Sequence, residues 1–187
     1  MLIGQLPHWD PKKLTIKSTP RVGQAYWIAM VEDATKPEFD GYHPGVIIRA
    51  CNTLNEATET VSFVPLTSTT PQKMKPYIHE MSCNPNPVDN RPIWAICNHI
   101  YTVRLSRLEL YYDSKGAHLA PKIETADLDA IFVAIRNGFT AMRTNVENHI
   151  KERVKAATDA LETQFEERVA TAVEAELDLL TSPEKAA

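Results

Sequence analysis

The chain has 187 residues, of which 43% are hydrophobic and 24% are charged, and its formal net charge is −4. This length accommodates one domain with a real core, with or without an appended element, and argues against two full-sized cores. No apolar run approaches the roughly 18 residues that a membrane span needs, and the N-terminal MLIGQLPHWDPKK does not resemble a signal peptide. We therefore predict a cytoplasmic protein without a membrane partner.

Charge and proline both divide the sequence near Pro121. Residues 1–120 contain 12 Lys and Arg against 11 Asp and Glu, whereas residues 121–187 contain 8 against 13. Eleven of the 13 prolines precede residue 93, and none lies within residues 122–182. Because proline is excluded from helix interiors and tolerated in turns and at strand edges, the first part is predicted to be β-rich and the second α-helical. The acidic excess belongs to the second part, so the first can still carry a patch for a nucleic acid.

The first part begins with a proline-containing arm, which we predict over residues 1–20 at the surface. Five apolar runs of strand length follow, rich in β-branched and aromatic residues and separated by Gly, Pro, Asn and Asp. The runs are AYWIAMV at 25–31, GVIIRAC at 45–51, TVSFVPL at 60–66, IWAIC at 93–97 and YTVRL at 101–105. Five short strands without intervening helices predict a small β-barrel.

From Glu124 the apolar residues recur with a helical period, which predicts a helix that closes a domain over residues 21–138. Thr125 and the following acidic residues suit its first turn. Asn137 and Gly138 either end this helix or only weaken it, because Gly costs about 1 kcal/mol relative to Ala in a helix interior.

A long apolar stripe then runs through a polar segment, from Met142 to Leu177. The mean step between Val146 and Leu177 is about 3.9 residues, wider than the 3.5 of a left-handed coiled coil. We predict a long amphipathic helix over residues 139–182 that needs a partner surface, followed by a disordered tail at 183–187. The fold class is thus α+β, with a barrel followed by C-terminal helices.

Three cysteines, Cys51, Cys83 and Cys97, are an odd number without CxxC spacing, which argues against a disulfide framework. A zinc site could be assembled from Cys83 and Cys97 with His79 and His99, but these residues lack the tight spacing of specific zinc motifs. We predict neither a metal nor another cofactor.

Four segments in order carry a resemblance to a known family. They are RVGQAYWIAMV at 21–31, GYHPGVIIR at 41–49, VPLTSTTPQKMKPY at 64–77 and WAICNHIYTVRLSRL at 94–108. In order and spacing they resemble the motifs of the MazF/PemK family of toxin endoribonucleases, and they cover roughly 115 residues. The resemblance implies an SH3-like barrel of the kind that CcdB and MazF toxins share.

What the resemblance implies about function is sequence-specific, metal-independent cleavage of single-stranded RNA. The 2′-hydroxyl attacks the adjacent phosphate, which leaves a 2′,3′-cyclic phosphate and a 5′-hydroxyl. It also implies a cognate antitoxin and a homodimer or a higher homo-oligomer.

The family's two catalytic positions map onto the second and third segments. The family's Thr is present as Thr67, with Ser68 beside it, whereas the Arg expected before Pro44 is replaced by His43. A histidine can act as acid or base near neutral pH, but it cannot offer a phosphate the bidentate, always charged group of an arginine. His43 is therefore either a catalytic group or only a turn residue.

Further side chains are candidates for RNA binding. Cationic groups that neutralise phosphates are the first requirement of such a surface. The candidates are Lys73, Lys75, Arg91, His99 and Arg104. Each can also be an ordinary solvated side chain, and His99 can be a second titratable group.

Two alternatives to a nuclease remain open. The barrel could be a non-catalytic relative that binds RNA or a protein target, as the similarly folded CcdB toxins bind gyrase, with the C-terminal helix serving assembly. The acidic C-terminal helix could also cover a basic groove of the same chain and inhibit it.

Overall fold

The computed structural model describes residues 14–30, 39–55 and 59–181. The chain forms two compact units, which divide between Thr140 and Ala141. Among the described residues, the first unit holds every strand and the shorter helix, and the second holds one long helix. The α+β class predicted from the sequence is confirmed.

The first unit is built on antiparallel strands. They are β1 Ala25–Ala29, β2 Tyr42–Arg49, β3 Thr60–Thr67, β4 Ile78–Glu80, β5 Trp94–Ile96, β6 Tyr101–Arg104, β7 Leu108–Glu109, β8 Tyr111–Tyr112 and β9 His118–Leu119. Seven form one sheet in the order β4-β5-β3-β2-β1-β7, with β6 also paired to β3, while β8 and β9 form a separate hairpin.

The sheet closes on itself through one continuous segment. Strand β6 pairs with β3, a 3₁₀ turn at Leu105–Arg107 follows, and β7 then pairs with β1. Since β1, β2 and β3 are neighbours in the sheet, this segment completes a ring of strands. The ring is the small barrel predicted from the sequence.

Two clusters of buried side chains lie on the two faces of β2 and β3, because alternate residues of a strand point to opposite faces. One fills the ring and includes Ile28, Ile47 and Phe63. The other lies against the helix after the barrel and includes Val46 and Ile131. Trp94, in the apolar run at 93–97, is also buried, as the sequence predicts for a core residue.

The shorter helix, α1, spans Thr125–Gly138. Its buried face carries Ile131, Ala134 and Ile135 against the outer cluster. The helix ends where an added Cβ on Gly138 would lie 3.1 Å from the Cβ of Tyr77. The Asn-Gly pair therefore ends the helix, and a close approach to a neighbouring loop accounts for the glycine.

The second unit is the helix α2, Thr140–Thr181. With 42 residues it is about 63 Å long at 1.5 Å per residue. Every described side chain from Ala141 to Leu179 is exposed except that of Val146, which is half-buried. The predicted helix over 139–182 corresponds closely to this element, whereas the tail at 183–187 lies outside the described residues.

The described end of the N-terminal arm does more than cross the surface. Residues 1–13 lie outside the described residues, but Ile16 is only 3% exposed and belongs to the cluster inside the ring. The Thr15 hydroxyl donates to the Leu108 carbonyl oxygen at 2.7 Å. The expectation of a purely superficial strap is therefore wrong for these residues, because an apolar side chain fills a place in the core.

Candidate active site

The start of β2 and the end of β3 bring the two catalytic candidates to the same edge of the sheet. The ladder between these strands pairs Val46 with Val64 and Gly45 with Pro65. The ladder ends at this second pair, and an extension of the same register by two residues would set His43 opposite Thr67. Residues opposite each other in a ladder share a face, so both side chains belong to the face that carries Ile47 and Phe63 inside the ring.

Gly45 leaves space for the side chains of Phe63 and Ile28 beside this edge. A Cβ at this position would lie 2.5 Å from Cδ2 of Phe63 and 2.7 Å from Cδ1 of Ile28. Both side chains are fully buried. The absence of a side chain two residues after His43 therefore lets the core extend to the candidate site.

The imidazole of His43 is half-buried against an aromatic ring. Its centroid lies 4.8 Å from that of Phe39, and the rings meet edge to face. Burial lowers the pKa of His43 from its ordinary value, while the charge of Asp40 and a hydrogen bond to its backbone oppose the shift. A neutral ring at pH 7 can accept a proton, as a general base must.

The same Phe39 ring also contacts a second histidine. Its centroid lies 5.6 Å from that of His99 and 6.4 Å from that of Tyr101. The Tyr101 hydroxyl lies 3.5 Å from Nδ1 of His99 and accepts a hydrogen bond from the Phe39 backbone N–H at 3.3 Å. We refer to Phe39, His43, His99 and Tyr101 as the histidine–aromatic cluster.

Thr67 is half-buried and ends β3. Its hydroxyl oxygen accepts a hydrogen bond from the Thr69 backbone N–H at 3.1 Å, which closes a tight turn. A threonine hydroxyl carries one donor in addition to its acceptor sites, so Thr67 can still donate to a phosphate oxygen. Ser68 beside it is exposed.

The predicted cationic residues are not all at this edge. Lys73 and Lys75 are exposed in the loop that leaves β3 after Thr67. Arg91 is engaged locally, because its Nη2 donates to Oδ2 of Asp89 at 2.7 Å and its Nε donates to both carboxylate oxygens.

Arg104 lies at the opposite end of the barrel. It pairs with Thr60, which is seven residues from Thr67 and therefore about 23 Å away along β3 at 3.3 Å per residue. Within one chain Arg104 therefore does not adjoin His43 and Thr67, and its role in RNA binding stays a prediction. Arg107, in contrast, has a structural contact, donating from Nη1 to the Ala29 carbonyl oxygen at 3.0 Å.

The two neighbouring aromatic residues of β1, Tyr26 and Trp27, are buried to different degrees. Tyr26 is 1% exposed, and burial raises its pKa to about 12. Trp27 is half-buried and its ring lies 5.6 Å from that of Tyr111. Tyr26 is therefore a core residue and cannot stack on a base.

A buried carboxylate that the sequence analysis overlooked joins α1 to the barrel. Asp127 is 4% exposed; its Oδ1 lies 2.8 Å from Nε2 of His79, and its Oδ2 accepts from the Ser82 hydroxyl at 2.6 Å. Burial opposes ionisation of Asp127, but the hydrogen bonds from Ser82 and His79 outweigh it and lower its pKa. The acidic first turn of α1 was the available signal for this contact.

His79 is thus engaged with Asp127 rather than with the other three zinc candidates. Cys51 and Cys97 are buried, Cys83 is exposed, and all three are free thiols. Across the described parts of the chain, no three His, Cys, Asp or Glu side chains converge as metal ligands would. No helix among the described residues is long and apolar enough to cross a membrane.

The fold defines the class: a small closed antiparallel barrel with a helix packed on its outer face. A family model described as the PemK-like, MazF-like toxin of type II toxin-antitoxin systems matches residues 21–137. This match spans more than half of the chain, so the chain belongs to that family. The family predicted from four sequence segments is confirmed.

Three solved structures are among those that match this chain. A mycobacterial endoribonuclease in complex with its cognate antitoxin is 22% identical, with 64% of this chain and 93% of that chain covered at a TM-score of 0.41. A MazF from Deinococcus radiodurans is 16% identical, with 64% and 96% covered at 0.44. A MazE–MazF structure from the same organism is 17% identical, with 64% and 95% covered at 0.42. A comparison with curated protein sequences finds no match.

The histidine–aromatic cluster contains two residues that the sequence analysis missed, Phe39 and Tyr101. The sequence could have indicated that Tyr101 points inward, because it alternates with Val103 in a strand whose other residues are exposed. For Phe39 it gives no such indication, since Phe39 precedes β2 and meets Tyr101 across 62 residues of sequence.

Proposed function

We propose that the protein is a toxin of a type II toxin-antitoxin system that cleaves single-stranded RNA without a metal ion. The observation that supports the proposal is that β2 and β3, which carry His43 and Thr67, are neighbouring strands in a barrel that belongs to the MazF-like family. In this proposal cleavage is sequence-specific and produces a 2′,3′-cyclic phosphate and a 5′-hydroxyl.

His43 is proposed as the general base. It takes the proton of the 2′-hydroxyl, O2′ forms a bond to phosphorus, and the bond from phosphorus to O5′ breaks. The lowered pKa of His43 supports this role, because a base must be unprotonated at the working pH. An arginine could not accept this proton under ordinary conditions.

The departing O5′ needs a proton, and we propose His99 as its source. His43 and His99 contact the same Phe39 ring at 4.8 and 5.6 Å, which keeps two titratable rings at one site. Tyr101 orients His99 through the contact to Nδ1. Two histidines would thus divide the two proton transfers of the reaction.

The negative charge on the pentacoordinate phosphate must be stabilised by hydrogen-bond donors or cations. Because the family's arginine is absent, other residues must provide them. Thr67 is proposed to donate its hydroxyl proton to a non-bridging oxygen, with Ser68 as a weaker second donor. Lys73 and Lys75 follow in the next loop and are proposed to neutralise neighbouring phosphates. The pairing of Arg91 with Asp89 makes Arg91 a lesser contributor.

The partners of the proposal are an antitoxin and a second copy of the barrel. The family is one of toxins in toxin-antitoxin systems, and a growth-inhibiting nuclease requires a protein that restrains it. We propose a cognate antitoxin and a homodimer with an isologous interface, the commonest arrangement of soluble oligomers.

A non-catalytic binding protein is the second candidate. It is favoured by one observation, the presence of His43 where the family's arginine would provide a permanent charge. In that case RNA or a protein target would bind at the barrel without being cut.

Thr67→Ala distinguishes the two candidates, with Thr69→Ala as its matched control. Thr69 contributes its backbone N–H to the turn and has an exposed side chain, so its alanine variant preserves the local fold. The nuclease proposal predicts that Thr67→Ala cleaves a long RNA at least tenfold more slowly than wild type, that Ser68→Ala does so to a smaller extent, and that Thr69→Ala is unchanged. Equal rates for Thr67→Ala and wild type would remove Thr67 from the mechanism, and binding without any cleavage by wild type would favour the second candidate.

A further inference from the structure

The helix α2 exposes a set of apolar side chains that its own unit does not cover. Their exposed fractions run from 45% at Val169 to 80% at Leu179. The set comprises Met142, Ile150, Val154, Leu161, Phe165, Val169, Val173, Leu177 and Leu179. Exposure of apolar surface to water is unfavourable in free energy in proportion to its area. Burial of these side chains against a partner would therefore be favourable.

The charges of α2 are divided between its two halves. Residues 140–155 contain four Lys and Arg and two Asp and Glu, whereas residues 156–181 contain one and seven. The N-terminal half is therefore basic, with a net charge of +2, and the C-terminal half is acidic, with a net charge of −6. A surface with this polarity is complementary to a reversed copy of itself.

Side-chain size is also complementary about the midpoint of the helix. Leu161 lies at the middle of Thr140–Thr181. In a reversed copy aligned on this residue, Phe165 faces Ala157 and Ile150 faces Ala172. A large residue meets a small one on each side, which is the condition for two helices to pack closely.

We propose that α2 pairs in antiparallel orientation with α2 of a second copy of this chain, centred on Leu161. In this arrangement Lys155 lies beside Glu166 of the second copy on one flank of the seam. Arg153 lies near Glu167 of the second copy on the other flank, at about 100° of rotation and 1.5 Å of rise per residue. Opposite charges that flank an apolar seam set the partner and the orientation of paired helices.

A parallel pair is disfavoured by the same charges. It would place the two acidic halves side by side and set Lys155 against Lys155. A wholly acidic helix would suit a basic groove instead, but the basic half of α2 would be repelled there. The antiparallel pair is the arrangement that matches both halves.

Charge reversal in the full chain tests the association. Lys151→Glu with Lys155→Glu makes both halves acidic and should raise the dissociation constant of self-association at least tenfold. The mass measured by light scattering should then fall to that of the barrel dimer at a concentration where wild type forms a larger assembly, and added salt should weaken the wild-type assembly because it screens exposed charges.

Two matched variants separate charge from other effects. Lys151→Arg with Lys155→Arg keeps the charge and should keep the mass of wild type. Lys115→Glu with Lys122→Glu changes the net charge equally at exposed positions of the first unit and should also leave the mass unchanged. Circular dichroism checks that every variant remains helical.

Disulfide trapping tests the orientation. In a Cys83→Ser background, the remaining native thiols are buried. Chains with Ile150→Cys and chains with Ala172→Cys should form a cross-linked mixed dimer on oxidation, while neither variant should cross-link alone. Each residue would lie about 33 Å from its own copy in the antiparallel pair, at 1.5 Å per residue.

Three outcomes would overturn the proposal. The first is a wild-type chain whose light-scattering mass shows no dependence on α2 charge reversal. The second is efficient cross-linking of Ile150→Cys with itself, which would indicate a parallel pair. The third is a mixture that yields no mixed dimer although both variants are folded.

Discussion

Replacement of His43 by asparagine tests the least expected part of the proposed chemistry. Burial lowers the pKa of His43, so a rate that depends on its neutral form should fall on the acidic side of pH 7. The midpoint of that fall is expected below 6.5, the ordinary value for histidine. Below the midpoint the rate should drop about tenfold per pH unit.

The expected loss follows from the role of the group. A positioned general base contributes roughly 10²- to 10⁴-fold to a rate, and an asparagine cannot accept the proton. His43→Asn should therefore lower kcat/KM by about that factor and remove the acidic limb. Because asparagine fits beside the Phe39 ring and retains polar groups, the barrel should remain folded.

Stability must be measured alongside the rate, because the same pKa shift affects folding. Between the lowered folded pKa and the unfolded value near 6.5, the unfolded chain binds more protons than the folded chain. The free energy of unfolding therefore falls as the pH decreases through this window. Circular dichroism at each pH separates loss of fold from loss of activity.

The assay is initial-rate cleavage of a fluorescent single-stranded RNA between about pH 5 and pH 8, below the pH at which lysines lose charge. His118→Asn is the control, since His118 lies in the β8–β9 hairpin against Tyr112. A wild-type rate that is flat through pH 5–6.5, or an acidic limb that persists in His43→Asn, would refute the assignment of His43 as base.

Other predictions concern stability and RNA binding. Gly45→Ala should lower the free energy of unfolding by roughly 1–3 kcal/mol in urea titrations, because its Cβ would lie 2.5 Å from a ring carbon; an unchanged midpoint would contradict this packing. Asp127→Asn should cost roughly 1–3 kcal/mol, and only wild type should lose this contribution as the pH falls through the lowered pKa of Asp127. Lys73→Ala with Lys75→Ala should reduce the salt dependence of RNA affinity by about 0.7 per lost phosphate contact, whereas Arg104→Ala should have little effect; the reverse order would relocate the groove.

The longer strands could be predicted because their own residues are rich in β-branched and aromatic side chains over runs of strand length. The runs at 25–31, 60–66 and 101–105 correspond to β1, β3 and β6. Strand β2 begins at Tyr42, three residues before the predicted run, because pairing with β1 continues through His43 and Pro44. Proline is depleted in strands, so its presence concealed this extension.

The short strands could not be predicted from local sequence. β7, β8 and β9 contain two residues each, too few to show any periodicity. They exist because tertiary contacts align them with partners. For the same reason, the sequence predicted a closed barrel as a class of fold but not that β6 and β7 close it.

The candidate site was predictable as far as it depends on motifs. Thr67 and His43 follow from the resemblance of two segments, and the register of β2 and β3 brings them to one edge. The Phe39 contacts with both histidines could not be predicted, because they join three separate segments. Arg104 shows that a motif alone does not predict proximity to the site. It belongs to a family-like segment, yet it lies at the end of β3 opposite to Thr67.

The most direct test of the account is the chemistry of the RNA ends produced by the purified protein in EDTA. Metal-independent transesterification predicts cleavage at defined sites, with products that carry a 2′,3′-cyclic phosphate and a 5′-hydroxyl. A matched reaction with Thr67→Ala should yield the same ends far more slowly, which excludes a contaminating nuclease. Cleavage that requires an added divalent ion, or products with a 5′-phosphate, would contradict the account.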